Sequence, residues 1–140
     1  MKPVSLRRQG GVALLEVMLA VLLLGVGLLG TIGLQARAYA ALSDASMRAE
    51  ATIATERLLG VMNADLANVA AGNYVYTGAS APSAALAPWV AQTRNDIPGA
   101  RITVAVAGQD RRYQVDITVR WTRKAGGAEN VHQVTSYIGF

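Results

Sequence analysis

Hydrophobic side chains fill one long run near the start of the chain, over residues 12–34. Glu16 is the only ionisable residue in this run, and no proline interrupts it. As an α-helix the run would be about 34 Å long, and the hydrocarbon core of a bilayer is about 30 Å thick. The pattern therefore predicts a transmembrane helix over residues 12–34 and a protein that crosses the membrane once.

A second pattern, amphipathic rather than uniformly apolar, follows over residues 35–70. Hydrophobic positions recur there mostly at steps of three or four residues, which is the spacing of one face of an α-helix. We predict a single helix over residues 12–69, whose outer part packs one stripe of side chains against a small exported domain. The predicted stripe consists of Leu34, Ala38, Ala41, Ala45, Ala49, Ile53, Leu59, Met62, Leu66 and Val69.

The last part of the chain has the period of two that is typical of β-strands. Hydrophobic and polar residues alternate strictly from Tyr113 to Trp121, and less regularly over residues 102–106 and 131–138. Glycine-containing stretches between them predict the turns. We therefore predict an antiparallel β-meander over residues 101–140 with one face on the long helix, which gives an α+β fold.

Small residues and prolines dominate residues 71–100, between the predicted helix and the predicted sheet. This composition predicts a connecting loop region, with a short helix near residues 84–93. Tyr74, Tyr76 and Trp89 lie in it, and we interpret them as packing residues rather than as platforms for stacked nucleic-acid bases.

The net charge of +4 is unevenly distributed along the chain. Three of the 13 basic side chains, Lys2, Arg7 and Arg8, precede the apolar run, and the rest nearly balance the 9 acidic ones. Basic residues before a span keep that end in the cytoplasm. We therefore expect a cytoplasmic N-terminus and a periplasmic C-terminal domain in the inner membrane, and we do not expect nucleic acid as a partner.

Few residues are suited to catalysis or metal binding. The chain has no cysteine, and His132 is its only histidine, so neither a thiolate metal site nor a hydrolase triad is indicated. Asp110 and Asp116 lack the dense spacing of a calcium loop. We expect no enzyme activity, no cofactor and no metal. Basic residues at both ends of the predicted hairpin strand are interpreted as solvated charges that protect the sheet edges: Arg111, Arg112, Arg120, Arg123 and Lys124. The alternative is that they contact an anionic partner, such as DNA, lipid headgroups or an acidic patch on another protein.

Glu16 raises the central question of the sequence. A carboxylate at the middle of a transmembrane helix costs about 2.5–3.5 kcal/mol, and less near the interface. One reading is that Glu16 lies one turn inside the helix, where the helix dipole favours an anion and water is within reach. The other reading is that it awaits a cationic partner on another subunit. Its spacing alone leaves both readings open.

A secretory signal peptide is the competing explanation of the apolar run. Ala38, Tyr39 and Ala40 form a suitable A-x-A-like cleavage site after it. The run is longer than the typical apolar region of about 7–15 residues, and it contains an acid. The pattern therefore favours a membrane helix that is retained.

Residues 7–16, RRQGGVALLE, resemble the type IV prepilin signal in their basic leader, in Gly11 and in Glu16. The resemblance implies that a prepilin peptidase removes residues 1–11 by cutting between Gly11 and Val12 and methylates the new N-terminus of Val12. It also implies that Glu16, now the fifth residue, forms a salt bridge with the amine of a neighbouring subunit. Val12 and Ala13 depart from the family pattern, in which phenylalanine and threonine are common.

The stretch from Gly27 to Gln35, GLLGTIGLQ, resembles that of PilV-type minor pilins, the pilus modification proteins. This resemblance implies a lollipop-shaped fold, a place in the complex that primes the pilus and lies at its tip, and a role in twitching motility and attachment. The partners would be other minor pilins, the major pilin and the inner-membrane assembly platform. A minor pseudopilin of a type II secretion system is the alternative, and a DNA-uptake pilin is a further one.

Four glycines lie within the predicted span, and none of them are placed as the GxxxG dimer motif requires. Each costs about 1 kcal/mol relative to alanine inside a helix. The family commonly has a proline at the position of Gly33, where the helix loosens in the assembled fibre. We expect the glycines to supply similar pliability here; they are Gly25, Gly27, Gly30 and Gly33.

Overall fold

The longest element of the fold is the N-terminal helix α1, Val12–Ala64. The structure is a computed structural model, and it describes residues 12–109, 112–123 and 126–139. These residues fall into two units, Met1–Leu42 and Ser43–Phe140. The first unit is helical throughout its described part, as expected for an apolar run without proline.

The second unit contains the remaining elements. A short helix α2 spans Leu66–Ala70, and helix α3 spans Ala87–Asp96. Three strands follow: β1, Arg101–Gln109; β2, Arg112–Thr122; and β3, Glu129–Gly139. The long apolar helix and the small three-stranded antiparallel sheet confirm the predicted α+β layout.

The sheet has the strand order β1-β2-β3, and both neighbouring pairs are antiparallel. Ile117 of β2 lies opposite Val104 of β1 and Val134 of β3. Because side chains alternate between the two faces of a strand, Val115, Ile117, Val119 and Trp121 share the face of β2 that is buried in the core. The strict alternation seen in the sequence therefore corresponds to one buried face.

The face of α1 that contributes to this core differs from the predicted stripe. Ala51, Ala54, Leu58 and Met62 are buried, and they share a face because they recur at three- and four-residue steps. Alanine lies on every side of this part of the helix, so hydrophobicity alone does not identify the packed face. The prediction is wrong for Ala45, Ala49 and Ile53, which are exposed, whereas its later members Met62 and Val69 are buried. The members in the first unit, Leu34, Ala38 and Ala41, are exposed there.

Helix α1 ends before Asp65 rather than at the predicted residue 69. The backbone of Asp65 leaves the helical region, with φ −130° and ψ 53°. Its carboxylate accepts hydrogen bonds from Asn68 Nδ2 at 2.7 Å and from the Tyr74 hydroxyl at 2.9 Å. These bonds lower the pKa of the Asp65 carboxyl, and burial together with the neighbouring carboxylate raises the pKa of Tyr74. The cluster fixes where the chain turns back from α1.

The aromatic residues of the segment over residues 71–100 pack into the core of the second unit. Tyr74, Tyr76 and Trp89 are all buried, as the packing interpretation requires. The Trp89 indole donates a hydrogen bond to the Ala54 carbonyl of α1 at 2.8 Å. Tyr76 and Val104 exchange two backbone hydrogen bonds of 2.8 Å, which cover part of the outer edge of β1. The predicted short helix is present as α3.

Candidate functional site

The apolar part of α1 has an exposed surface. Every residue from 12 to 39 is exposed, and Leu15 retains 71% of its accessible surface. In a soluble protein, an apolar surface of this extent indicates contact with a membrane or with other proteins. Among the described residues, α1 is the one helix that is long and apolar enough to cross a membrane, and both a membrane anchor and a signal sequence meet that criterion.

Glu16 lies one turn inside this surface, as the fifth residue of α1. Its neighbours on the same side of the helix are those three and four residues away, and Val12, Ala13, Leu19 and Ala20 are all uncharged at their side chains. Glu16 is exposed, and no described side chain forms an ion pair with it. The carboxylate is therefore open to a cation from outside the helix.

The four glycines of the apolar run lie in continuous helix. A Cβ atom added at any of them would meet no other atom within 4 Å. Nothing within the described chain therefore requires glycine at these positions, and flexibility or close approach by another molecule are the two physical uses that glycine would have here. The predicted pliability of Gly25, Gly27, Gly30 and Gly33 stays a prediction.

The predicted cleavage site is only partly within the described residues. Gly11 and the basic leader lie outside them, and Val12 is the first residue of α1. Cleavage between Gly11 and Val12, methylation of Val12 and the salt bridge of Glu16 stay predictions.

Two of the polar residues considered as ligands have structural contacts in the second unit. His132 Nε2 lies 3.3 Å from Thr55 Oγ1, where β3 faces α1. Asp116 accepts hydrogen bonds from Gln114 Nε2 at 3.0 Å and from Thr135 Oγ1. Among the described residues no group of three His, Cys, Asp or Glu side chains could hold a metal ion. Asp110 lies outside the described residues.

The basic residues of the predicted hairpin that the structure describes, Arg112, Arg120 and Arg123, have separate surroundings. Arg123 Nε lies 3.5 Å from Asp44 Oδ1 of α1, and the Arg112 guanidinium lies 5.9 Å from the ring centre of Tyr137. Arg120 is instead grouped with Arg94 and Arg101, which the sequence did not single out. Arg111 and Lys124 lie outside the described residues.

The sequence does not indicate that Arg94, Arg101 and Arg120 lie together, because they belong to three different elements. Only the register of β1 on β2, which places Arg101 opposite Arg120, could have revealed it.

Comparison with known proteins identifies no relative. No family model, curated protein or solved structure matches the chain.

Proposed function

We propose that the protein is a minor type IV pilin that is cleaved after Gly11, N-methylated at Val12 and incorporated into a pilus. One observation carries the proposal: the apolar run over residues 12–34 is helical and exposed, and Glu16 is the single carboxylate within it. The basic leader before Gly11 adds support, because prepilin signals have the same order of features. The protein acts by assembly and catalyses no reaction.

The chemistry of the cleaved N-terminus explains the carboxylate. Cleavage would release the α-amino group of Val12, whose ordinary pKa of about 7.7–8.0 leaves it mostly protonated at neutral pH. An isolated carboxylate is costly in an apolar environment, whereas one paired with a cation is tolerated. A neighbouring subunit displaced by about one helical turn, ~5.4 Å along the axis, would bring its amine beside Glu16. The ion pair would then favour one particular axial displacement between neighbouring subunits.

The exposed face of α1 in the second unit suits the same role. Ala45, Ala49 and Ile53 lie on the side of the helix opposite Ala51 and Leu58, which are in the core. Small side chains permit close approach of another helix. In the assembled fibre, this face would contact neighbouring pilin helices, while the sheet and the loops contact other minor pilins.

The proposed topology follows from the charge of the leader. Lys2, Arg7 and Arg8 keep the N-terminus in the cytoplasm, and the second unit faces the periplasm. The prepilin peptidase and the inner-membrane assembly platform are the expected partners before assembly. Other minor pilins and the major pilin are the partners afterwards, in the complex that primes the fibre and lies at its tip.

A minor pseudopilin of a type II secretion system is the second candidate, because the same leader, helix and carboxylate serve that assembly. Deletion of the gene, with complementation in trans, separates the two functions. A minor pilin predicts loss of surface pili and of twitching motility while secreted enzymes stay at their normal level. Normal piliation combined with loss of secreted enzymes would replace the proposal by the pseudopilin. Normal piliation and secretion together with loss of DNA uptake would indicate an uptake pilin.

A further inference from the structure

A cleft in the second unit brings together three arginines from separate elements. Arg94 lies in the last turn of α3, Arg101 begins β1, and Arg120 lies near the end of β2. The cleft has a volume of about 260 Å³, and Thr77 and Thr103 also line it. Arg101, Thr103 and Arg120 are exposed strand residues that alternate with buried ones, and the proposed function assigns the cleft no specific role.

Two of these arginines form a like-charge pair, which does not stabilise the fold. Arg101 and Arg120 are directly opposite each other across β1 and β2, an arrangement that destabilises a sheet. A single carboxylate, Glu129, serves both: Arg101 Nη2 pairs with Glu129 Oε1, and Arg120 Nη1 lies 3.5 Å from Glu129 Oε2. The cleft therefore retains an excess of positive charge.

The third arginine is held in place by a buried side chain. Arg94 Nη2 donates a hydrogen bond of 2.9 Å to the hydroxyl of Tyr76. Tyr76 is itself buried and fixed by its two backbone hydrogen bonds to Val104. The contact orients the Arg94 guanidinium through a hydroxyl rather than through a carboxylate, so it supplies no countercharge.

We propose that this cleft binds a phosphate-type oxyanion between Arg94, Arg101 and Arg120. Guanidinium groups present paired N–H donors whose spacing matches phosphate oxygens, and the two threonines that line the cleft carry hydroxyls able to donate hydrogen bonds. The cleft is smaller than the roughly 300–1,000 Å³ of pockets for drug-sized ligands. It therefore suits a single phosphate group, either a free phosphate ion or the phosphate of a phospholipid headgroup.

The test uses the full chain in micelles of a neutral detergent at low ionic strength. Isothermal titration calorimetry measures the binding of inorganic phosphate, of glycerol 3-phosphate as a soluble headgroup, and of acetate. We expect both phosphates to bind and acetate to bind at least about tenfold more weakly, because it offers fewer acceptor oxygens and less charge. Tighter binding of glycerol 3-phosphate would assign the site to a lipid headgroup, and tighter binding of inorganic phosphate would assign it to the free ion.

The variant Arg94→Gln/Arg101→Gln should weaken phosphate binding by about 100-fold, since each lost charged donor costs about tenfold. Arg57→Gln/Arg112→Gln removes the same charge from exposed positions outside the cleft and should bind phosphate as the unaltered chain does. Circular dichroism confirms that both variants are folded. Absence of phosphate binding, equal losses in the two variants, or a preference for acetate would each overturn the proposal.

Discussion

We expect the Glu16→Gln variant to be cleaved normally after Gly11 but to enter assembled fibres about 100-fold less often than the unaltered chain. Removing one partner of a buried ion pair costs about 3–5 kcal/mol, because the other charge is left without compensation, and about 1.4 kcal/mol corresponds to a factor of ten. Glutamine keeps the size of the side chain and inserts into the membrane more easily, so neither packing nor insertion would explain the loss.

The measurement is quantitative immunodetection of the protein in sheared pili and in the membrane fraction of the same cells. Glu56→Gln is the matched control, because it makes the same change at an exposed position of α1 in the second unit. Glu16→Asp keeps the charge on a shorter side chain and should retain part of the incorporation. Full incorporation of Glu16→Gln would rule out the proposed salt bridge.

The second large effect concerns the packed face of α1. Leu58 retains 1% of its accessible surface in the core, whereas Ile53 retains 47%. Replacing a buried leucine with alanine costs about 2–5 kcal/mol of the free energy of unfolding. For a unit of this size, Leu58→Ala should lower the melting temperature by at least about 8 °C.

Ile53→Ala is the matched control, because it also trims a large aliphatic side chain to alanine on the same helix. We expect it to shift the melting temperature by only a few degrees, because surface substitutions usually change stability by about 0.5 kcal/mol or less. Near-ultraviolet circular dichroism of the full chain in micelles follows the unfolding of the second unit. A larger loss in Ile53→Ala than in Leu58→Ala would favour the stripe predicted from the sequence over the face in the structure.

The strands and the helix could be predicted because their patterns are unambiguous. The alternation from Tyr113 to Trp121 places every second residue of β2 in the core, and few other arrangements would bury that face. The apolar run over residues 12–34 contains no proline, polar cluster or turn signal that would end a helix. In both cases, the local pattern and the fold agree.

The packed face of α1 could not be predicted, because alanine is a weak signal of burial. Alanine residues at 45, 49, 51 and 54 differ little in chemistry, yet 51 and 54 are buried and 45 and 49 are exposed. The choice depends on which helix face the larger residues Met47, Leu58 and Met62 direct toward the sheet. That face also recurs at three- and four-residue steps, so periodicity alone leaves two candidate stripes, and tertiary packing decides between them.

The arginine cleft also could not be predicted from the sequence, for a different reason. Arg94, Arg101 and Arg120 meet only because α3 ends next to the start of β1 and because β1 and β2 pair in one particular register. A shift of that register by one residue would move Arg120 to the other face relative to Arg101. Glu16 shows the opposite case, since a single charge in an apolar run is visible without any structure.

The most direct test of the central proposal is the intact mass, with N-terminal fragmentation, of the protein purified from membranes of its native host. We predict a chain that starts at Val12 and carries one methyl group on its α-amino nitrogen, and an uncut chain for the Gly11→Ala variant. A chain that starts at Met1 would make α1 an ordinary membrane anchor. A chain that starts at Ala41 or Leu42 would mean a conventional signal peptide, and either result would contradict the assembly role of Glu16.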